Sequence, residues 1–62
     1  MLKLTVRTDN AAFQGENLTL ELARILHEAA ETIGRGHMTG TLRDLNGNTV
    51  GEWAVRIPRK RN

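Results

Sequence analysis

Gly40-Thr-Leu-Arg-Asp-Leu-Asn-Gly-Asn-Thr-Val-Gly-Glu-Trp-Ala-Val-Arg-Ile57 reads as a β-hairpin, and the rest of the chain is placed by it. Asn46-Gly47 suits a type I′ turn, which needs positive φ at both central residues. A two-residue loop pairs Leu45 with Asn48. Further out it pairs Asp44–Thr49, Arg43–Val50, Leu42–Gly51, Thr41–Glu52, Gly40–Trp53, Thr39–Ala54 and Met38–Val55. Opposed residues share a face. One face then carries Met38, Leu42, Trp53, Val55 and Ile57, with room at Gly40 and Gly51. The other carries Thr39, Thr41, Arg43, Glu52 and Arg56. A three-residue loop would slip the register by one and set Leu42 against Glu52, so the two-residue reading is the self-consistent one. An indole at Trp53 can cover the gap that Gly40 leaves across the ladder.

Upstream, Leu2, Leu4 and Val6 alternate with Lys3, Thr5 and Arg7, the pattern of a half-buried strand with a basic outer face. Thr8 to Glu16 reads as a loop, with turns at Asp9-Asn10 and Gln14-Gly15. Phe13 lies in it as an apolar anchor. A helix is expected from about Leu18 to Ile33, capped by Asn17 or Thr19. Leu18, Leu22, Ile25, Leu26, Ala29 and Ile33 give it an apolar stripe, and Glu21, Arg24, Glu28 and Glu31 a wet side. Gly34 is the expected stop, and Glu31 and Arg35 have favourable spacing for an ion pair. Pro58 is expected to end the last strand.

The element order is β-α-β-β. Placing the last strand in the centre makes a three-stranded sheet antiparallel throughout, in the order 2-3-1, with one helix on one face. This is a small α+β fold: residues 1–57 form a single domain, and 58–62 a basic tail. The chain has 62 residues and no cysteine. A domain of this size buries about 60% of its unfolded surface, and there is no disulfide to supplement that. A bound partner or self-association is a natural source of further burial. Met1 leads straight into a strand, with no secretory pattern, so a cytoplasmic setting is expected.

Formal net charge is +2. The open sheet face gathers Lys3, Thr5, Arg7, Thr41, Arg43, Glu52 and Arg56, with Val50, Ala54 and Leu45 as apolar neighbours. The tail adds Arg59, Lys60 and Arg61. Such cations suit phosphates or an acidic partner. That face carries no aromatic side chain on which a base could stack. His27 and Glu31 share a helix face, and only His37 could add a third metal ligand, so no metal or other cofactor is expected. Gly34-Arg-Gly36 follows a helix and enters a strand, the wrong context for a phosphate loop. Asp44-Leu-Asn46-Gly-Asn48 lacks the glycine and glutamate that a calcium loop needs further on. Serine is absent, as is cysteine, which removes the commonest nucleophiles, and an enzyme is not expected.

Leu4, Thr8-Asp-Asn-Ala-Ala-Phe13, Glu21-Leu-Ala-Arg-Ile25 and the segment from Gly40 to Trp53 together resemble small proteins encoded by bacteriophages and prophages. The resemblance covers most of the chain up to Trp53 and stops before the basic tail. It carries no catalytic residues. It implies a phage accessory protein in bacterial cytoplasm that binds host machinery, as inhibitors of host defence such as anti-CRISPR proteins do.

The expected function is therefore a small non-catalytic module that docks on a host protein or on a second copy of itself. The alternative is a weak, sequence-tolerant nucleic-acid binder using the basic face and tail.

Overall fold

A computed structural model describes residues 1–57; Pro58 and the basic tail with Arg59, Lys60 and Arg61 lie outside the described residues. The elements are β1 (Leu2–Val6), a short 3-10 helix (Ala11–Phe13), α1 (Asn17–Gly34), β2 (Thr39–Arg43) and β3 (Thr49–Val55). The sheet has the order β1-β3-β2, and both pairings are antiparallel, as the hairpin reading requires.

The body of the hairpin has the expected register, from Thr39 against Ala54 to Leu42 against Gly51. The turn that produces it is different. The Gly47 N–H donates to the Asp44 carbonyl at 3.0 Å, the Asp44 N–H donates to the Asn48 carbonyl at 2.9 Å, and positive φ occurs at Gly47 alone in the turn. The loop is therefore Leu45-Asn46-Gly47, a three-residue type. It sets Arg43 against Thr49, one position off the expected pair, and a bulge beyond Arg43 leaves Val50 as the extra residue. The bulge restores the ladder at Leu42–Gly51 and turns Val50 inward, where it is buried. Val50 thus belongs to the core and not to the open face.

The core is Ala12, Phe13, Ile25, Ala29, Leu42, Val50 and Trp53, with Leu4, Val6, Leu22, Ile33 and Val55 packed around it. Phe13 anchors the first loop as expected. The loop itself is a helical turn, capped by Asn10, whose side-chain oxygen accepts from the Ala12 N–H at 2.9 Å. The Trp53 indole lies over Gly40, so close that a Cβ there would sit 2.6 Å from Nε1. At Gly51 a Cβ would run into the Thr5 carbonyl oxygen, so β1 can approach β3 there only because the side chain is absent.

The helix differs from expectation in three ways. Its N-cap is Glu16, without a side-chain cap bond, because the turn Gln14–Leu18 already leads into it through backbone bonds; Asn17 and Thr19 lie inside. Its stop is Gly36, at φ +101°, and Gly34 is the last helical residue. The Gly36 N–H donates to the Ile33 carbonyl at 2.9 Å and the His37 N–H to the Thr32 carbonyl at 3.3 Å, the paired bonds of a Schellman stop. The inward stripe runs Glu21-Ile25-Ala29, so Leu18 and Leu26 face out. The helix packs chiefly on the 3-10 turn and on β2. Met38 and Ile57, expected on the covered face, are exposed, as is Leu2.

Candidate functional site

Two groups of polar side chains stand out, and they have opposite characters. The first is enclosed. Glu21 is only 5% exposed and Asp44 only 4%, although both are carboxylates. Glu21 accepts two bonds from the Arg24 guanidinium, each at 2.9 Å, and one from the Leu45 N–H at 2.7 Å. Arg24 also reaches Glu28 at 2.7 Å and the Arg43 carbonyl at 3.0 Å. Asp44 accepts from the N–H groups of Asn46 and Asn48, each at 2.9 Å, and from the side-chain amides of Asn10 at 2.8 Å and Asn48 at 3.3 Å.

These bonds tie the first loop, the helix and the hairpin tip together. The Arg24 guanidinium is the main cause that holds Glu21 below the usual carboxylate range, against the opposing effect of burial. Burial pushes Asp44 upward, but the four donors around it outweigh burial and leave its pKa lowered. Glu21 thus accepts three bonds and Asp44 four, all from within the chain, which makes this cluster a clamp. The wet-side placement expected for Glu21 is therefore corrected. Its signal lies in the spacing 21-25-29, which puts a carboxylate on the same stripe as Ile25 and Ala29. The Asp44-x-Asn46-x-Asn48 pattern is the signal for the turn clamp.

The second group is open. Thr5, Glu52 and Thr41 stand opposite one another in one row across the sheet, and Lys3, Ala54 and Thr39 form the next. All are exposed except Ala54, which is half-buried. A depression of about 320 Å³ opens among them, lined by Lys3, Thr5, Glu52, Trp53 and Ala54. The ion pairs among the described residues are those of Arg24 with Glu21 and Glu28, so Lys3 and Glu52 are engaged in none.

Arg56 lies in register opposite Met1, with its N–H donating to the Met1 carbonyl at 2.8 Å, and it extends the face by one row. Arg43 is exposed at the hairpin end. Arg7 does not join the group as a free cation: its guanidinium donates to the Thr49 carbonyl at 3.2 Å and braces the hairpin. Leu45 is 63% exposed, but it sits beside Glu21, Arg24 and Leu20 and not on this face.

Phe13 and Trp53 are both buried, so neither offers a stacking platform. Among the described residues no group of three or more His, Cys, Asp or Glu side chains is arranged to hold a metal ion, and no helix is long and apolar enough to cross a membrane. No family model matches the chain, and neither a curated protein nor a solved structure matches it.

Proposed function

We propose that this protein is a small non-catalytic binding module that docks on a protein partner through the polar face of its sheet, and that it serves a bacteriophage or prophage by engaging a bacterial host protein. The observation that carries the reading is the exposed row Thr41–Glu52–Thr5 with Lys3 and the half-buried Ala54 beside it, held on three hydrogen-bonded strands and with Lys3 and Glu52 in no ion pair among the described residues. A rigid, polar surface with a shallow central depression supports recognition by complementary shape and charge, in which orientation and specificity come from paired charges. The enclosed carboxylates contrast with it, since their hydrogen bonds go to holding the fold.

The test is capture of bacterial proteins by the immobilised chain and by two face variants, Ala54→Arg and Glu52→Lys. Ala54→Arg fills the depression, and Glu52→Lys reverses the charge at its rim. Each should weaken binding of the captured protein at least about tenfold, the effect of disrupting a central contact, while far-ultraviolet circular dichroism stays unchanged. Capture that is indifferent to both variants removes the sheet face from the function. Salt-sensitive binding to nucleic acid with no protein captured moves the function to the basic-surface alternative.

A further inference from the structure

β1 and β2 are the two edge strands of the sheet, and among the described residues the outer edge of β1 pairs with nothing. In the β1–β3 ladder Met1 pairs with Arg56, whose N–H donates to the Met1 carbonyl at 2.8 Å, and the Arg7 N–H donates to the Val50 carbonyl at 2.7 Å. In an antiparallel ladder the residues that bond to one neighbour alternate with those that face the other way. The odd positions therefore serve β3, and the backbone groups of Leu2, Leu4 and Val6 face outward along the edge. The opposite edge is different. There the Arg24 guanidinium occupies the Arg43 carbonyl at 3.0 Å, and the helix packs over β2. Natural sheets blunt exposed edges by such capping or by charged side chains; among the described residues β1 has the second, in Lys3 and Arg7, and not the first.

We propose that β1 pairs with β1 of a second copy across a twofold axis centred on Leu4, joining two three-stranded sheets into one continuous sheet. The register is fixed by the outward groups. Leu4 meets Leu4 of the second copy and Leu2 meets Val6, each pair exchanging both backbone bonds. A twofold contact must be self-complementary, with residue i meeting j and j meeting i, and this one is on both faces. On the helix side it brings together Leu2, Leu4 and Val6; Leu4 and Val6 are half-buried against the core, and Leu2 is 54% exposed. On the polar side Lys3 stands opposite Thr5 of the second copy. Glu52 of that copy lies in the same row one strand beyond its Thr5, two strands from Lys3; among the described residues neither is engaged in an ion pair. At the ends Met1 meets Arg7, two cations each turned to its own sheet: the Met1 ammonium donates to the Arg56 carbonyl and the Arg7 guanidinium to the Thr49 carbonyl. The inference uses the strand edge and not the docking partner of the sheet face, so it stands apart from the proposed function.

The test is sedimentation of the purified protein alone, from about 10 µM to about 1 mM, together with amide exchange followed by nuclear magnetic resonance. Edge-to-edge contacts are small, and a weak dimer is expected. Its mark is that the Leu4 and Val6 amides, solvent-facing in one copy, become protected as concentration rises. Thr5→Lys sets a new ammonium against Lys3 twice across the axis while placing it beside Glu52 in its own sheet, which preserves the fold. It should weaken the dimer about tenfold. Adding Lys3→Glu turns both oppositions into attractions and should restore association. A protein that stays monomeric throughout overturns the proposal. So does a dimer in which the Leu4 and Val6 amides exchange as fast as in dilute solution, or one that Thr5→Lys leaves unchanged.

Discussion

At the scale of single residues the most constrained position is Gly51. A Cβ there would meet the Thr5 carbonyl oxygen, part of the β1 backbone, which cannot step aside without opening the ladder. At Gly40 the obstacle is the Trp53 side chain, which has some freedom to shift. Gly51→Ala should therefore cost about 3 kcal/mol, the upper end for overpacking, and Gly40→Ala less. Urea unfolding of the two variants beside the parent checks the order; equal costs would mean that β1 can move away from β3. The importance of Gly40 beside Trp53 was legible from pairing arithmetic. The reason for Gly51 was not, because it depends on how closely β1 approaches, a distance that no alternation pattern encodes.

At the scale of elements the hairpin and the helix stop carry the lesson. The strands, their faces and the open row of Lys3, Thr5, Thr41 and Glu52 were legible, since a period of two and an Asn-Gly pair specify them. The bulge at Val50 was not. A valine beside a turn reads equally well on either face, and only the change from a two- to a three-residue loop sends it inward. Two local departures compensate, and the ladder between them and the sheet end is the same in both readings.

The helix stop is ambiguous in sequence for a related reason. Gly34-Arg35-Gly36 offers two candidate glycines, and backbone conformation separates them. Gly36 sits at φ +101°, where an L residue is strained, whereas Gly34 is helical with open space around it. Gly36→Ala should thus destabilise by about 1–2 kcal/mol, and Gly34→Ala should stabilise by about 0.5–1 kcal/mol. Thermal unfolding of the pair reads this directly. The reverse order would restore Gly34 as the stop.

At the scale of the whole molecule the clamp made by Glu21, Arg24, Asp44 and Asn10 joins segments that the small apolar core alone holds weakly. Its charge was legible, but its burial was not, because a charged residue on a helix is ordinarily solvated. The pH dependence follows from the direction of the shifts. Both carboxylates have folded pKa values below their ordinary ones of 4.5 and 3.8. A depressed carboxylate contributes stability that is present above the unfolded pKa and lost as pH falls through the folded value. The urea midpoint should therefore be level between about pH 7 and 5 and fall steeply below about pH 4. Glu21→Gln should lower it at neutral pH and make the acid fall shallower. An acid limb of unchanged depth would take Glu21 out of the account and leave it to Asp44.

The Gly47 N–H, held by the Asp44 carbonyl at 3.0 Å, also bears on how the protein ages. Asn-Gly is the dipeptide in which the glycine nitrogen most readily attacks the preceding side-chain amide, closing a succinimide ring and releasing ammonia. In the folded tip that nitrogen is engaged and the backbone of Asn46 is fixed by its own bond to Asp44. The turn that shapes the hairpin should therefore also slow deamidation at Asn46 in the folded protein relative to the unfolded chain.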